Sequence, residues 1–273
     1  MSKLEWLFLA GGTLLYALGT AAGFAATRAG DRRRLAQARL AGLMGAAYHL
    51  FVLVSLGART GHFPVTGAPE AFLALSTATM GVALGLDALR KLSVLLVGTL
   101  PLAFVTTLLS AALLAAPGSE ATTPQPSAWT ALHVFTAIGS YGAFAIAFVS
   151  GVLYIVAQRQ LKEHASILGL MPPLQSIERI NLRALAVGAI LLAGGILVGY
   201  AQARNVYDRK FDRLDPKIIL STLTFALYVG VLVLSRRPQF RGRRVALASI
   251  AGFFLVMVTF WASIFWSGFH QFR

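Results

Sequence analysis

The chain has 273 residues, 57% of them hydrophobic and only 12% charged, with a mean hydropathy of +0.71. A water-soluble chain carries about twice that share of charge, so a soluble globular protein is excluded. The formal charge of +14 therefore reads as loop arginines lying on an anionic leaflet, not as a nucleic-acid surface. With no cysteine in the sequence, disulfides, thiolate metal sites, iron–sulfur clusters and thiol relays are all excluded.

Apolar runs long enough to cross a bilayer, which takes about 20 residues, recur from end to end. They predict eight helical spans at about 4–26, 38–57, 70–88, 93–116, 129–157, 183–201, 217–235 and 244–267. The fold class is thus an all-α, polytopic membrane helix bundle, with residues 1–273 forming a single integral membrane domain. The first run lacks a compact apolar region followed by a small-residue cleavage site, and reads as a retained span. Breakers or charge runs separate the spans: Arg28 to Arg34, Gly61 to Pro64, Arg90-Lys91, Pro117 to Pro126, Arg159 to Pro173, Arg204 to Pro216 and Arg236 to Arg244. The fifth apolar stretch is the longest, so it tilts or extends beyond the bilayer.

Basic residues set the orientation. Alternate connections, beginning with the one between spans one and two, carry 16 of the 24 lysines and arginines. These connections face the cytoplasm, which puts both termini outside. Residues 202–217, on the outer side, run against the trend with Arg204, Arg209, Lys210, Arg213 and Lys217 among Asp208, Asp212 and Asp215. This stretch is either a solvated loop whose charges partly cancel or a lid whose cations hold carboxylates. Asp215 and Pro216 open the seventh span as cap and first turn. Gly19 with Gly23, and Gly195 with Gly199, have the spacing that lets helix backbones approach closely in lipid.

Three of the five histidines fall in or against apolar stretches on the outward half. His49 lies in span two, about eight residues and so roughly 12 Å below its outer end. His133 opens span five, and His270 follows span eight behind Trp266. An ionisable group inside a span is expensive and generally has a partner: a proton path, a metal or a haem iron. The plainer alternatives are a hydrogen bond to a neighbouring helix for His49, and headgroup-level rings for His133 and His270. Trp261, Trp266, Phe269 and Phe272 suit an aromatic belt or one wall of a porphyrin pocket. On span five, His133, Ala137, Ser140, Phe144, Ala147 and Gly151 share a mostly small face, able to receive a flat macrocycle or another helix. His62 lies in a short outer loop and His164 among cytoplasmic charges.

LHVFTAIGSYGAFAIAFVSGVLYIVAQRQ (132–160) resembles the His-then-Ser-Tyr span of the CcsA/HemX-type cytochrome c assembly proteins. DPKIILSTLTFALYVGVLVLSRRPQFRGRRVALASIAGFFLVMVTFWASIF (215–265) is similar to that family's DPK-started span, arginine-rich turn and last helix. GFHQF (268–272) matches the place of a second outward histidine, and Pro101-Leu102-Ala103 also fits. The resemblance implies a haem-handling membrane protein. It assigns His133 and His270 as axial ligands of a noncovalent haem b, with His49 as a candidate second haem site. Arg204, Arg209, Lys210 and Arg213 would contact propionates, with Trp266 beside the haem. The family's tryptophan-rich stretch before DPK is here NVYDRKFDRLDPK, without tryptophan, and the span after Asp215 has no histidine. The chain therefore looks closer to the HemX-like branch, and the reading moves from haem attachment to haem binding, transport or an accessory assembly role.

No activated nucleophile or acid–base pair is recognisable, so the chain reads as non-enzymatic with no catalytic residue. The expected setting is a bacterial-type plasma (inner) membrane with the site on its outer face. The expected partners are the lipid bilayer, haem, and other cytochrome c assembly or haem-synthesis proteins. Two alternatives stand beside this. One is a noncatalytic regulator of haem biosynthesis; the other is a transporter or ion-homeostasis protein using His49 and Asp87, against which the lack of an internal repeat counts.

Overall fold

The computed structural model describes residues 1–64, 67–90, 92–116, 127–162, 171–206 and 216–265, without the side chains of 202–206, 216, 217 and 261–265. Among the described residues there are eight α-helices and no strand: α1 (Lys3–Ala29), α2 (Arg32–Thr60), α3 (Ala68–Arg90), α4 (Ser93–Ala115), α5 (Ala128–Lys162), α6 (Leu174–Val206), α7 (Pro216–Leu234) and α8 (Arg243–Phe265). Seven are long and apolar enough to cross a membrane. The remaining helix, α7, has 19 residues, about 28 Å at 1.5 Å per residue, close to the thickness of a hydrocarbon core. The expected all-α, eight-helix membrane chain is the observed one.

The helices overrun the apolar spans at their polar ends. Arg32 to Arg39, which look in sequence like part of a break, form the first turns of α2; arginine is a good helix former. The true break is two residues long. Gly30 adopts φ 66° and returns its N–H to Ala26 O, while the Asp31 carboxylate accepts from Arg33 N (2.8 Å) and Arg34 N (3.4 Å) to start α2. Likewise α6 begins at Leu174, nine residues before the expected span, and α5 reaches 35 residues. At about 52 Å, α5 is much longer than a bilayer core, so part of it lies outside.

By contact the chain forms two compact units, Met1–Ala121 with Leu153–Ile177, and Thr122–Val152 with Glu178–Arg273. The first holds α1 to α4 around buried Leu9, Tyr16, Val52, Phe72, Met80, Leu96 and Leu100. Buried carboxylates tie its helices at two places. Glu5 closes a capping box with Ser2 on α1 and accepts from Ser55 Oγ (2.7 Å) on α2. Arg59 Nη2, also on α2, pairs with it at 2.9 Å. Asp87 on α3 pairs with Arg39 Nε of α2 (2.9 Å) and accepts from Ser93 Oγ at the start of α4 (2.7 Å).

The second unit is built on an asparagine and a stack of rings. Asn181 Nδ2 of α6 donates to Ala147 O of α5 (2.7 Å), and its Oδ1 accepts from Ser249 Oγ of α8 (2.9 Å). Phe144 of α5 stacks on Tyr228 of α7 with centroids 4.0 Å apart, and Phe148 on Phe253 of α8 at 4.7 Å. Glu178 accepts the Gly242 N–H just before α8 (2.9 Å), placing a carboxylate at a helix N-terminus where the dipole favours it.

Replacing Arg39 by alanine leaves the Asp87 carboxylate buried with Ser93 alone. Charge-assisted contacts contribute about 1.5–3 kcal/mol, and Arg39 is itself half exposed, so exposure trims the expected loss to about 1–2 kcal/mol. Thermal unfolding of the detergent-solubilised chain measures it. Adding Asp87→Asn to that variant should recover part of the loss, because no charge is then left unpaired.

Candidate functional site

His133 stands on the second turn of α5, whose start is capped by Ser127 Oγ accepting from Thr130 N at 3.1 Å. Its Nδ1 lies 2.8 Å from Gly195 O on α6. A carbonyl can only accept, so Nδ1 carries a proton, which in the neutral ring leaves the lone pair on Nε2. Among the described residues Nε2 has no hydrogen bond, and the side chain is half-buried. Gly199, one turn on, makes the room: a Cβ there would lie 2.9 Å from Cε1 and 3.0 Å from Nδ1. Thr136 turns its hydroxyl onto Leu132 O and His133 O of its own helix, both at 2.9 Å.

His49 presents the opposite case. It is fully buried in the first unit, with Nε2 3.3 Å from Leu9 O and the ring edge-on to Tyr16 at 5.0 Å. Gly12 admits it, since a Cβ at that position would lie 2.5 Å from Nε2. The imidazole nitrogen farther from the backbone is thus the one held by α1, and only Nδ1 is left without a partner.

The remaining expected residues divide by position. His270, Trp266, Arg209, Lys210 and Arg213 lie outside the described residues, as do His164, Asp215, Phe269 and Phe272. Arg204 belongs to the last turns of α6, five residues past Gly199, and Trp261 to the last turns of α8, but both side chains are outside what is described. His62 is partly buried, with Nδ1 3.1 Å from the neighbouring Phe63 O. Asp87, the other member of the ion-path alternative, is tied to Arg39. Arg39 lies ten residues, about 15 Å, from His49 along α2. Among the described residues no three His, Asp or Glu side chains converge to hold a metal ion.

Helix register places the last described residues of α8. Phe253 meets Phe148 and Phe260 meets Tyr141, so α8 runs antiparallel to α5, one residue for one. Continued at that register, the backbone of Phe265 stands level with Thr136, about one turn from His133. The small face of α5 is filled by helices. Phe144 lies on Tyr228, Ala147 O takes the Asn181 amide, and a Cβ on Gly151 would meet Ala246 O at 2.8 Å. In sequence, Gly195 and Gly199 are generic packing positions; the histidine they receive is not visible in their spacing.

The family described as cytochrome C assembly protein matches residues 66–270, well over half of the chain. That segment contains His133 and His270 and leaves out α1, α2 and His49. Protein HemX of Brevibacillus brevis is 26% identical over 209 residues, 76% of either chain. Cytochrome c biogenesis protein CcsA of a Prochlorococcus marinus strain is 23% identical over 155 residues, 49% of either chain. Inner membrane protein YpjD of Escherichia coli K12 is 26% identical over 133 residues, 48% of this chain and 49% of its own.

If His49 is a core residue, alanine at Gly12 must push its ring away from Leu9 O. Overpacking of this kind costs about 1–3 kcal/mol, and Gly12→Ala should lower the thermal midpoint accordingly. Gly81→Ala, with open space where the Cβ would fall, is the matched control and should not.

Proposed function

The chain belongs to the cytochrome c assembly protein family, and we propose that within it this chain is a haem-handling membrane protein. It binds haem b noncovalently, with His133 and His270 as the axial pair, and serves cytochrome c biogenesis or haem delivery. The observation that carries the reading is His133 itself. Metal-bound histidines almost always give their other ring N–H to a carbonyl or carboxylate, and His133 already gives Nδ1–H to Gly195 O with Nε2 left over. Two further facts support it. The family match encloses both histidines, and Phe265 of α8, five residues before His270 in the chain, stands about one turn from the level of His133.

The same reading assigns His49 a packing role, because its Nε2 faces Leu9 O and it lies outside the matched segment. Arg204, Arg209, Lys210 and Arg213 fall at or just after the end of α6 in the chain and are the cations for haem propionates. Bound haem supplies an iron able to change oxidation state. The chain's own residues hold and orient it, and no turnover chemistry is assigned to them. The arginine-rich connections support a site on the outer face of a bacterial-type inner membrane. Partners are other assembly or haem-synthesis proteins.

The test is the absorption spectrum of the purified chain, with haem supplied, in oxidised and reduced form. His133→Ala and His270→Ala should each abolish the six-coordinate spectrum, and His49→Ala should keep it. No haem uptake by the wild type, or an unchanged spectrum in both outer variants, would overturn the reading.

A further inference from the structure

We propose that Gly195 and Gly199 of α6 form a positioning device for His133, selecting the tautomer that leaves Nε2 unprotonated and fixing the plane of the ring. The haem ligation it would serve rests on the function proposed above, but the device itself does not.

A carbonyl inside a helix is not normally open to a side chain from another helix. Gly195 O lies within α6, where it accepts the N–H four residues on, that of residue 199. Its second lone pair remains, but access is usually blocked. Each Cα–Cβ bond tilts toward the helix N-terminus, so the side chain at i+4 covers the turn that contains carbonyl i. The residue that would cover Gly195 O is residue 199, and it is glycine. The His133 ring occupies that gap, with Nδ1 2.8 Å from the oxygen and with Cε1 and Nδ1 within 3.0 Å of where a Cβ would stand. A free imidazole has either nitrogen protonated; one held against a carbonyl has only one option at that nitrogen. Thr136, one turn along α5, does not compete, since it closes on Leu132 O and His133 O.

The two glycines are not equivalent. A Cβ at Gly195 would meet Thr136 Oγ1 at 3.2 Å, a contact that a small shift relieves, and the carbonyl is kept. A Cβ at Gly199 strikes the ring itself. Plain helix packing predicts no such ordering in the state of His133.

The experiment uses the full chain without haem, ¹⁵N-labelled at histidine, with the His133 resonances assigned by their loss in His133→Ala. The wild type and Gly195→Ala should show the Nδ1–H tautomer, and Gly199→Ala should lose it. Haem affinity should then fall by at least about tenfold in Gly199→Ala, the usual scale for losing a ligand's supporting partner. If Gly199→Ala does not fold, free imidazole reports instead. It should bind the space left in His133→Gly at least about tenfold more tightly than in the His133→Gly/Gly199→Ala pair. An Nε2–H tautomer in the wild type, an unchanged tautomer in folded Gly199→Ala, or equal imidazole affinities would overturn the proposal. A Gly199-dependent Nδ1–H tautomer in a chain that takes up no haem would support the device while removing the haem reading.

Discussion

Lipid offers no hydrogen-bond partner, so a polar group carried into these apolar helices is stabilised by finding one in the protein. The helices are joined where such partners are found. Glu5 ties α1 to Ser55 and Arg59 of α2. Asp87 joins α3 to Arg39 of α2 and Ser93 of α4. Asn181 reaches from α6 to α5 and α8. The apolar side chains around these groups gain little from leaving hydrocarbon for one another, because lipid tails are as apolar as leucine. Close packing and a few well-placed polar contacts therefore specify which helix faces which.

The same constraint separates two histidines that look alike in sequence. Each bonds a backbone carbonyl of a neighbouring helix, and each is admitted by a glycine on that helix. What differs is the nitrogen. His49 spends Nε2 on Leu9 O and leaves Nδ1 buried without a partner. His133 spends Nδ1 and retains Nε2, the atom farther from the backbone and easier for a large ligand to approach. A choice between two ring atoms turns one residue toward the core and makes the other fit to bind.

How much of this is legible beforehand follows from the range of each interaction. Hydropathy marks the eight helices because every span carries its own signal. The ends are less legible: Arg32 to Arg39 and Leu174 to Arg183 look like interruptions by charge, yet a helix outside lipid accepts charged residues readily. His133 stands out as an imidazole at the start of a span. The purpose of Gly195 and Gly199 does not, because small residues four apart occur wherever helices pack and only the facing residue gives them a meaning. Asn181 escapes notice for the same reason, its partners being 34 and 68 residues away.

Depth along the helix adds a last distinction. His133 is five residues from the start of α5, about 8 Å. His49 has 17 residues of α2 before it and 11 after, about 26 and 16 Å. A group that is to be taken up and passed on needs a ligand near the water-facing end of its helices, where few packed contacts must part to admit it. A ligand in the middle of a span suits a cofactor enclosed for good. On the proposed reading, the position of His133 favours haem as cargo over haem as a permanent fixture. The absence of tryptophan between α6 and α7 agrees with this reading, in which haem is held near the helix ends and not presented on a tryptophan-rich stretch for attachment.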